Sequence, residues 1–337
     1  MRHAALAWLV LLGQALVRPA VPTDPITGIL DAFKTHDVVA IGEGGHGNNQ
    51  IGVFLGALMN DPRFASTVND IMYEGSNAAY QDVVDRYVNG ENVSENDVRG
   101  AMENSTQTQS QIVLRPKRLF GWPVDVRALN ARLPKERRVR LLLADPPIDW
   151  NLIHTNDEYM RVLALRDSFP AEVVRLEVVT KRRHVLIVFG GMHLQRKQLF
   201  SNYDMSNPIA QTLVSFLESG PAPVKVFNVW TVVGPELPAI QPDIASWRLP
   251  AFTLLRGTAL GRADFTQYYS TSRQTPPMPM ENQFDALLYL GPKATFGQPN
   301  RERCSDRAYL ETHFARMKIA DLPQKEIDAV KRACANP

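Results

Sequence analysis

Two glutamates and two histidines in this sequence have the residue types and spacing that proton transfer or metal binding requires. Glu43 and His46 share one glycine-rich turn, GEGGHG, while Glu74 and His193 lie far from it along the chain. A neutral imidazole can take a proton from water near pH 7, and a neighbouring carboxylate fixes its tautomer and raises its basicity. His46 is therefore the candidate base, with Glu43 or Glu74 orienting it, and His193 is a second proton carrier or a donor to an oxyanion.

The same four side chains form an alternative ligand set for a divalent metal. Two imidazoles and two carboxylates suit zinc or manganese. The residue types fit both uses, so metal-free and metal-dependent chemistry remain open at this stage.

Each of these side chains follows a predicted β-strand. The apolar runs 38–41, 68–73 and 184–189 lead into the GEGGHG turn, Glu74 and the stretch 190–193, respectively. Parallel strands end at one edge of an open α/β sheet, where ligands bind. The sequence therefore predicts one site at the carboxyl edge of the sheet.

The remaining pattern alternates short apolar runs with helical periodicity, which predicts a three-layer α/β/α fold with a largely parallel central sheet. Further strands are predicted at 139–144, 224–233, 252–255 and 284–290. The predicted helices are 23–33, 48–60, one through 83–87, 123–133, 157–180, 209–217, 308–317 and 324–333.

Three further charged residues lie near the predicted rim. Asp145 follows the strand 139–144 and is a candidate for substrate binding. Arg166 and Asp167 fall within the predicted long helix 157–180, which Pro170 could kink. Arg166 is a candidate to stabilise an oxyanion and Asp167 to bind substrate.

The polar stretch 91–111 predicts a loop with short helices, which is either a cover for the site or a solvated insertion.

The sequences near the two ends of the chain predict export and a disulfide close to the C-terminus. A basic start and an apolar run from residue 4 to 17 are typical of a secretory signal, here taken as 1–20, and the run is too short for a stable membrane span in the mature chain. The α/β domain is assigned to 24–300 and terminal helices to 301–337. In a secreted or periplasmic protein, Cys304 and Cys334 could form a disulfide.

Composition and other motifs exclude several classes of function. The 37 basic residues nearly balance the 35 acidic ones, so nucleic acid is not an expected partner. The GEGGHG turn also satisfies a dinucleotide fingerprint, but Glu43 would place a carboxylate against the pyrophosphate. Ser76 lies outside a G-x-S-x-G elbow, which argues against a serine nucleophile.

Taken together, the motifs resemble the erythromycin esterase superfamily, which includes ChaN-like haem-binding lipoproteins and Tiki-type metalloproteases. The resemblance spans about residues 37–290 and is strongest where Glu43 and His46 occur with Glu74. The motifs that carry it are GEGGHG, Tyr73-Glu74, Leu165-Arg166-Asp167, Gly190-Gly191-Met192-His193 and Phe284-Asp285-Ala286-Leu287.

The resemblance implies hydrolysis of an ester, lactone or amide by a water molecule that His46 activates, without a covalent intermediate. Its Tiki branch implies a divalent metal and a peptide substrate, although Glu43 stands where that branch has a glycine. Its ChaN branch implies haem or another iron-carrying ligand, although the chain has no cysteine for a lipid anchor. The substrate is thus a small molecule or a peptide.

Overall fold

Seven β-strands form one sheet in the computed structural model, which describes residues 17–107, 121–197, 211–234, 244–269, 277–297 and 301–335. The strands are β1 (Val38–Gly42), β2 (Asp70–Asn77), β3 (Arg140–Asp145), β4 (Val185–Phe189), β5 (Val226–Val233), β6 (Ala251–Leu254) and β7 (Ala286–Gly291). Their order is β3-β2-β4-β1-β5-β7-β6, and every pairing is parallel except that of β6 with β7. The predicted α/β class with a largely parallel sheet is confirmed.

Helices connect the strands and cover the sheet. In chain order they are α1 (Pro25–Ala32), α2 (Asn49–Asn60), α3 (Phe64–Thr67), α4 (Gln81–Val88), α5 (Glu95–Glu103), α6 (Trp122–Asn130), α7 (Asn156–Leu163), α8 (Ser168–Val173), α9 (Leu213–Glu218), α10 (Ala259–Arg262), α11 (Thr266–Tyr269), α12 (Arg307–Ile319) and α13 (Gln324–Ala335). A π-helical turn, Val174–Val179, directly continues α8.

The strands are buried on both faces, which explains why they read as continuous apolar runs. Alternate residues of β1, such as Val39 and Ile41, face a core that includes α1, α2, α4, α5 and α6. Val38 and Ala40 face a second core with α8, its π turn and α9. The two cores are the two interfaces of a three-layer structure.

The predicted long helix 157–180 is wrong. The chain leaves helical geometry between α7 and α8, and Arg166 and Asp167 lie in that break. Pro170 causes no kink, because it is the third residue of α8, where its missing N–H has no helical partner to lose. The break turns both charged side chains toward the ends of the strands.

Strand β2 runs further than predicted and is irregular at its end. The pairing with β3 shifts register between Tyr73 and Asn77, so Glu74 lies in a bulge. Gly75 has a φ of +75°, which glycine adopts without strain. A bulge commonly redirects a side chain near a site, and here it directs Glu74 toward the neighbouring strand β4.

Polar groups from outside the sheet occupy both of its edges. At β3, the side-chain amide of Gln81 donates to the carbonyl of Leu141 and accepts from the N–H of Leu143, both at 2.9 Å. At β6, Thr23 and Phe252 exchange backbone hydrogen bonds of 2.7 and 3.2 Å.

The last two helices pack on each other, and a disulfide joins Cys334 of α13 to Cys304, which lies in the short turn Glu302–Ser305 just before α12. This turn, α12 and α13 together are here called the disulfide-linked terminal helices. Their small core is built around Met317, Ile327 and Val330. His313 is 3% exposed there, and its Nε2 has no hydrogen-bond partner. Burial, together with the charge of Arg316, lowers the pKa of His313 to about 4.

No helix within the described ranges combines the length and apolar character that a membrane span requires. The predicted signal peptide, 1–20, lies almost entirely outside those ranges, so it stays a prediction. The domain limits 24–300 and 301–337 likewise stay predictions.

Burial of His313 should make the fold sensitive to acid. Its folded pKa of about 4 lies below the ordinary value of 6.5, so the unfolded chain takes up the proton first as the pH falls. This contribution is fully present above pH 6.5 and is lost as the pH falls toward 4, by up to about 3 kcal/mol.

Denaturant unfolding between pH 7.5 and 4 would measure this loss. We expect His313→Phe to flatten the pH dependence of the unfolding free energy. The matched control, His154→Phe at an exposed histidine, should leave the dependence unchanged. Equal slopes in the two variants would contradict the assignment.

Candidate functional site

The GEGGHG turn is held in shape by Asn48. Its Nδ2 donates to the carbonyls of Glu43 and Gly45, each at 2.6 Å, and its Oδ1 accepts from the N–H of Ile51 at 2.8 Å. Asn48 is thus both the N-cap of α2 and the clamp of the turn. Gly44 has a φ of +63° and its α-carbon lies against Thr231, so a side chain there would be strained and crowded.

Glu43 and His46 form a pair in which only the imidazole is open to solvent. His46 Nδ1 is hydrogen-bonded to Glu43 Oε2, and the side chain of His46 is 47% exposed against 5% for Glu43. A buried carboxylate on Nδ1 fixes the ring orientation and leaves Nε2 as the second nitrogen for chemistry.

Both oxygens of Glu74 are engaged, and each has a different set of partners. Oε1 accepts from Arg166 Nη2 at 2.5 Å and Gln107 Nε2 at 2.9 Å, and it lies 3.5 Å from His193 Nε2. Oε2 accepts from the backbone N–H of Gly190 at 2.5 Å. Burial alone would raise the pKa of Glu74, but His193, His46 and Arg166 outweigh it and hold that pKa well below its usual range.

Arg166 is a buried cation between two buried carboxylates. Besides Glu74, its Nε lies 3.3 Å from Asp145 Oδ1. Asp145 is 2% exposed and also accepts from the N–H of Thr106 at 2.5 Å. The guanidinium therefore compensates two charges that would be very costly to bury unpaired.

His193 is likewise held between carboxylates. Its Nδ1 lies 2.8 and 3.0 Å from the two oxygens of Asp167, and Asp167 also accepts from the N–H of Leu213 at 2.8 Å. Burial lowers the pKa of His193, but the charges of Asp167 and Glu74 outweigh it and raise that pKa above its ordinary value. His193 is thus favoured as an imidazolium.

Gly190 lies close to both His46 and Glu74, so a side chain at this position would crowd them. A Cβ placed on Gly190 would lie 3.1 Å from Glu74 Oε2 and 3.2 Å from His46 Nε2, closer than side chains normally tolerate. His46 Nε2 and Glu74 Oε2 therefore both approach the same backbone position.

Glu43, His46 and Glu74 form the candidate metal group. Their ligand atoms all lie within 4.8 Å of one another. Two ligands on one zinc ion, each about 2.1 Å away, are at most about 4.2 Å apart, so the group fits such an ion after a small contraction. His193, the fourth predicted ligand, lies on the Oε1 side of Glu74 and is bonded to Asp167 through its other nitrogen.

A cavity of about 30 Å³ adjoins Glu43 beneath α2. That volume is enough for one water molecule. Its walls combine apolar side chains of α2 with Trp122, which packs on Tyr73 with ring centroids 5.1 Å apart.

The structure brings all seven predicted site residues into one connected cluster. The turn contributes Glu43 and His46, β2 contributes Glu74, β3 contributes Asp145, the break after α7 contributes Arg166 and Asp167, and the segment after β4 contributes His193. Only His46 among them is substantially exposed. Asp145 is paired with Arg166 and Asp167 with His193, and their predicted role in substrate binding stays a prediction.

Sequence reasoning missed Gln107 and Asn48. Gln107 lies within the polar stretch 91–111, where no periodicity distinguished it from its neighbours. Asn48 did carry a signal, because asparagine just before an apolar-periodic segment is typical of a helix N-cap.

No protein-family model and no curated protein matches this chain. Solved structures do align with it over most of their length. A succinoglycan biosynthesis protein aligns over 84% of this chain and 96% of its own at a TM-score of 0.58 and 8% identity. A Bacillus cereus protein aligns over 83% and 96%, at 0.53 and 11% identity.

A variant of the erythromycin esterase EreC in its open conformation aligns over 80% of this chain and 93% of that one, with a TM-score of 0.51 and 12% identity. The chain therefore has an erythromycin esterase-like fold, which confirms the predicted resemblance at the level of fold.

Removing the buried cation should destabilise the protein strongly. Arg166→Met removes the positive charge that compensates Glu74 and Asp145, so a negative charge is left uncompensated in the buried cluster. We therefore expect the unfolding free energy to fall by about 3–5 kcal/mol. Denaturant titration at pH 7 measures it. Arg86→Met, which breaks an exposed pair with Glu91, is the control and should have little effect. Equal losses would show that the cluster does not depend on Arg166.

Proposed function

We propose that the protein is a hydrolase in which His46 takes a proton from water and the resulting hydroxide attacks an ester, lactone or amide carbonyl. The observation that carries this proposal is the Glu43–His46 pair, an exposed imidazole whose Nδ1 is held by a buried carboxylate. A base arranged in this way can act directly on water, and no serine or cysteine nucleophile is needed.

The buried residues have positioning roles in this proposal. Glu43 orients His46 and stabilises the imidazolium formed when His46 accepts the proton. Arg166 and cationic His193 keep Glu74 ionised beside the imidazole, which favours that imidazolium further. Asp145 and Asp167 hold Arg166 and His193 in place, so we assign these two aspartates to the support of the site.

A metal-dependent route is a variant of this proposal in which the ion, and not His46, would activate the water. Glu43, His46 and Glu74 would hold zinc or manganese, and the ion when bound would polarise the carbonyl and lower the pKa of water. The proposed substrate is a small molecule or a peptide, and export to a secreted or periplasmic location is part of the proposal.

Loss of the base should abolish turnover. A panel of esters, lactones and peptides, followed by chromatography of the products, would identify substrates of the wild type. On any of them we expect His46→Ala to lower kcat by about 10²–10⁴-fold, the usual contribution of a positioned base. His154→Ala, at an exposed histidine outside the cluster, is the control. Unchanged turnover in His46→Ala would rule the mechanism out.

Metal dependence should be visible in composition and in activity together. If an ion is used, purified protein holds about one zinc or manganese per chain by elemental analysis, chelation abolishes hydrolysis, and Glu74→Gln loses the ion. Full activity after chelation would assign the metal-free route.

A haem titration tests the alternative that the protein binds haem and is not a hydrolase. A saturable shift of the Soret band that disappears in His46→Ala would support haem binding against hydrolysis.

A further inference from the structure

The terminal helices are connected to Glu74 through four residues, Asn104–Gln107, here called the strap. All of them are buried except the half-buried Asn104. Ser105 and Thr106 have no exposed surface and Gln107 is 4% exposed. The strap directly follows α5, and its polar groups bond to the ends of the strands. Its last side chain reaches the site, where Gln107 Nε2 donates to Glu74 Oε1.

Gln107 helps to determine which oxygen of Glu74 faces His46. Together with Arg166 it occupies Oε1, so Glu74 turns Oε2 toward Gly190 and His46. Its contact with Gly75, 3.1 Å from the position of a Cβ on that glycine, places the amide against the bulge that carries Glu74. Gln107 thus fixes both the orientation and the position of this carboxylate.

The middle of the strap is bound to the site's other buried carboxylate. The N–H of Thr106 donates to Asp145 Oδ2 at 2.5 Å, and its carbonyl accepts from the hydroxyl of Tyr159 at 2.8 Å. A displacement of the strap would therefore change the surroundings of Glu74 and Asp145 together.

Asn104 anchors the beginning of the strap. Its carbonyl accepts from Asn77 at 2.9 Å and from the Trp150 indole at 3.2 Å, and its Nδ2 donates to Tyr80 at 2.8 Å. Its Oδ1 accepts from Arg316 Nη1 at 2.6 Å. The donor to Oδ1 is thus supplied by α12, one of the disulfide-linked terminal helices.

Two more ion pairs fasten the turn Glu302–Ser305, just before α12, to α5, which directly precedes the strap. Arg303 forms a two-bond pair with Glu103, at 3.0 and 2.8 Å, and Arg99 lies 3.1 Å from Glu302. The Arg316 guanidinium also packs over the Trp150 ring, 5.0 Å from its centroid.

We propose that Gln107 is a positioning residue for Glu74, and that the disulfide-linked terminal helices keep it in place through the Arg316–Asn104 contact. The kinetic part of this inference rests on the proposed hydrolysis, whereas the structural part does not.

Amide hydrogen exchange measured by mass spectrometry tests the structural part. The N–H groups of Gly190 and Thr106 bond to Glu74 and Asp145, so they report the two carboxylates directly. We expect Gln107→Met to speed exchange at Gly190 and Arg316→Met to speed it at both amides, by about tenfold or more. Arg307→Met, at an exposed arginine on the same helix, is the matched control and should match the wild type.

Steady-state kinetics tests the catalytic consequence. We expect Gln107→Met to lower kcat by about 10–100-fold with KM within about twofold, because a hydrogen bond to an ionised group is lost while the substrate contacts remain. Arg316→Met should lower kcat by about three- to tenfold, and Arg316→Lys should recover most of it, because an ammonium can still donate to Asn104. Recovery of kcat in Arg316→Lys would show that Arg316→Met acts by losing the hydrogen bond to Asn104 and not by unfolding the protein.

Exchange rates and kcat that match Arg307→Met in both Gln107→Met and Arg316→Met would overturn the inference. A change confined to Gln107→Met would overturn the role of the terminal helices. If the wild type hydrolyses no member of the panel, the proposed function fails, and exchange at Gly190 and Thr106 still decides whether the strap positions Glu74.

Discussion

The burial of Glu74 is the constraint on which the site depends. A carboxylate removed from water must be neutralised by nearby charge or accept a proton, and here Arg166 and His193 provide the charge. Each cation is in turn balanced by a second acid, Asp145 or Asp167, at the edge of the cluster. The exposed imidazole of His46 is the outermost member of a network whose other members are paired with one another.

Local irregularities of the backbone assemble this network. The bulge at the end of β2 turns Glu74 toward β4, and the break after α7 turns Arg166 and Asp167 inward. A regular strand and a continuous helix would present these side chains elsewhere. The regular parts of the fold supply rigidity, and the site occurs where that regularity ends.

Much of this arrangement could be predicted from the sequence, because strong patterns determine it. Parallel strands with two buried faces give apolar runs, and their shared carboxyl edge explains why Glu43, Glu74 and His193 meet despite their separation along the chain. The strand positions were therefore predictable to within a few residues, as was the clustering of charged residues at one rim.

The features that the sequence analysis predicted wrongly or missed are determined by tertiary contacts. Helical periodicity continues through Arg166, so the pattern alone concealed the break, although Asp167 before Pro170 carried the start signal of a new helix. Gln107 could not be found, because its partner lies 33 positions away and its neighbours are polar. The contact of Arg166 with Asp145 was likewise not predicted, since charged residues on a predicted helix usually face solvent.

The two edges of the sheet have a consequence for the behaviour of the protein in concentrated solution. Exposed strand edges are templates on which other chains can add strands and aggregate. Here the Gln81 amide imitates a peptide group along β3, and Thr23 pairs with the outer strand β6. The outer strand at each end of the seven-stranded sheet thus has part of its free edge occupied from within the same chain, which leaves fewer backbone groups with which a second copy could pair.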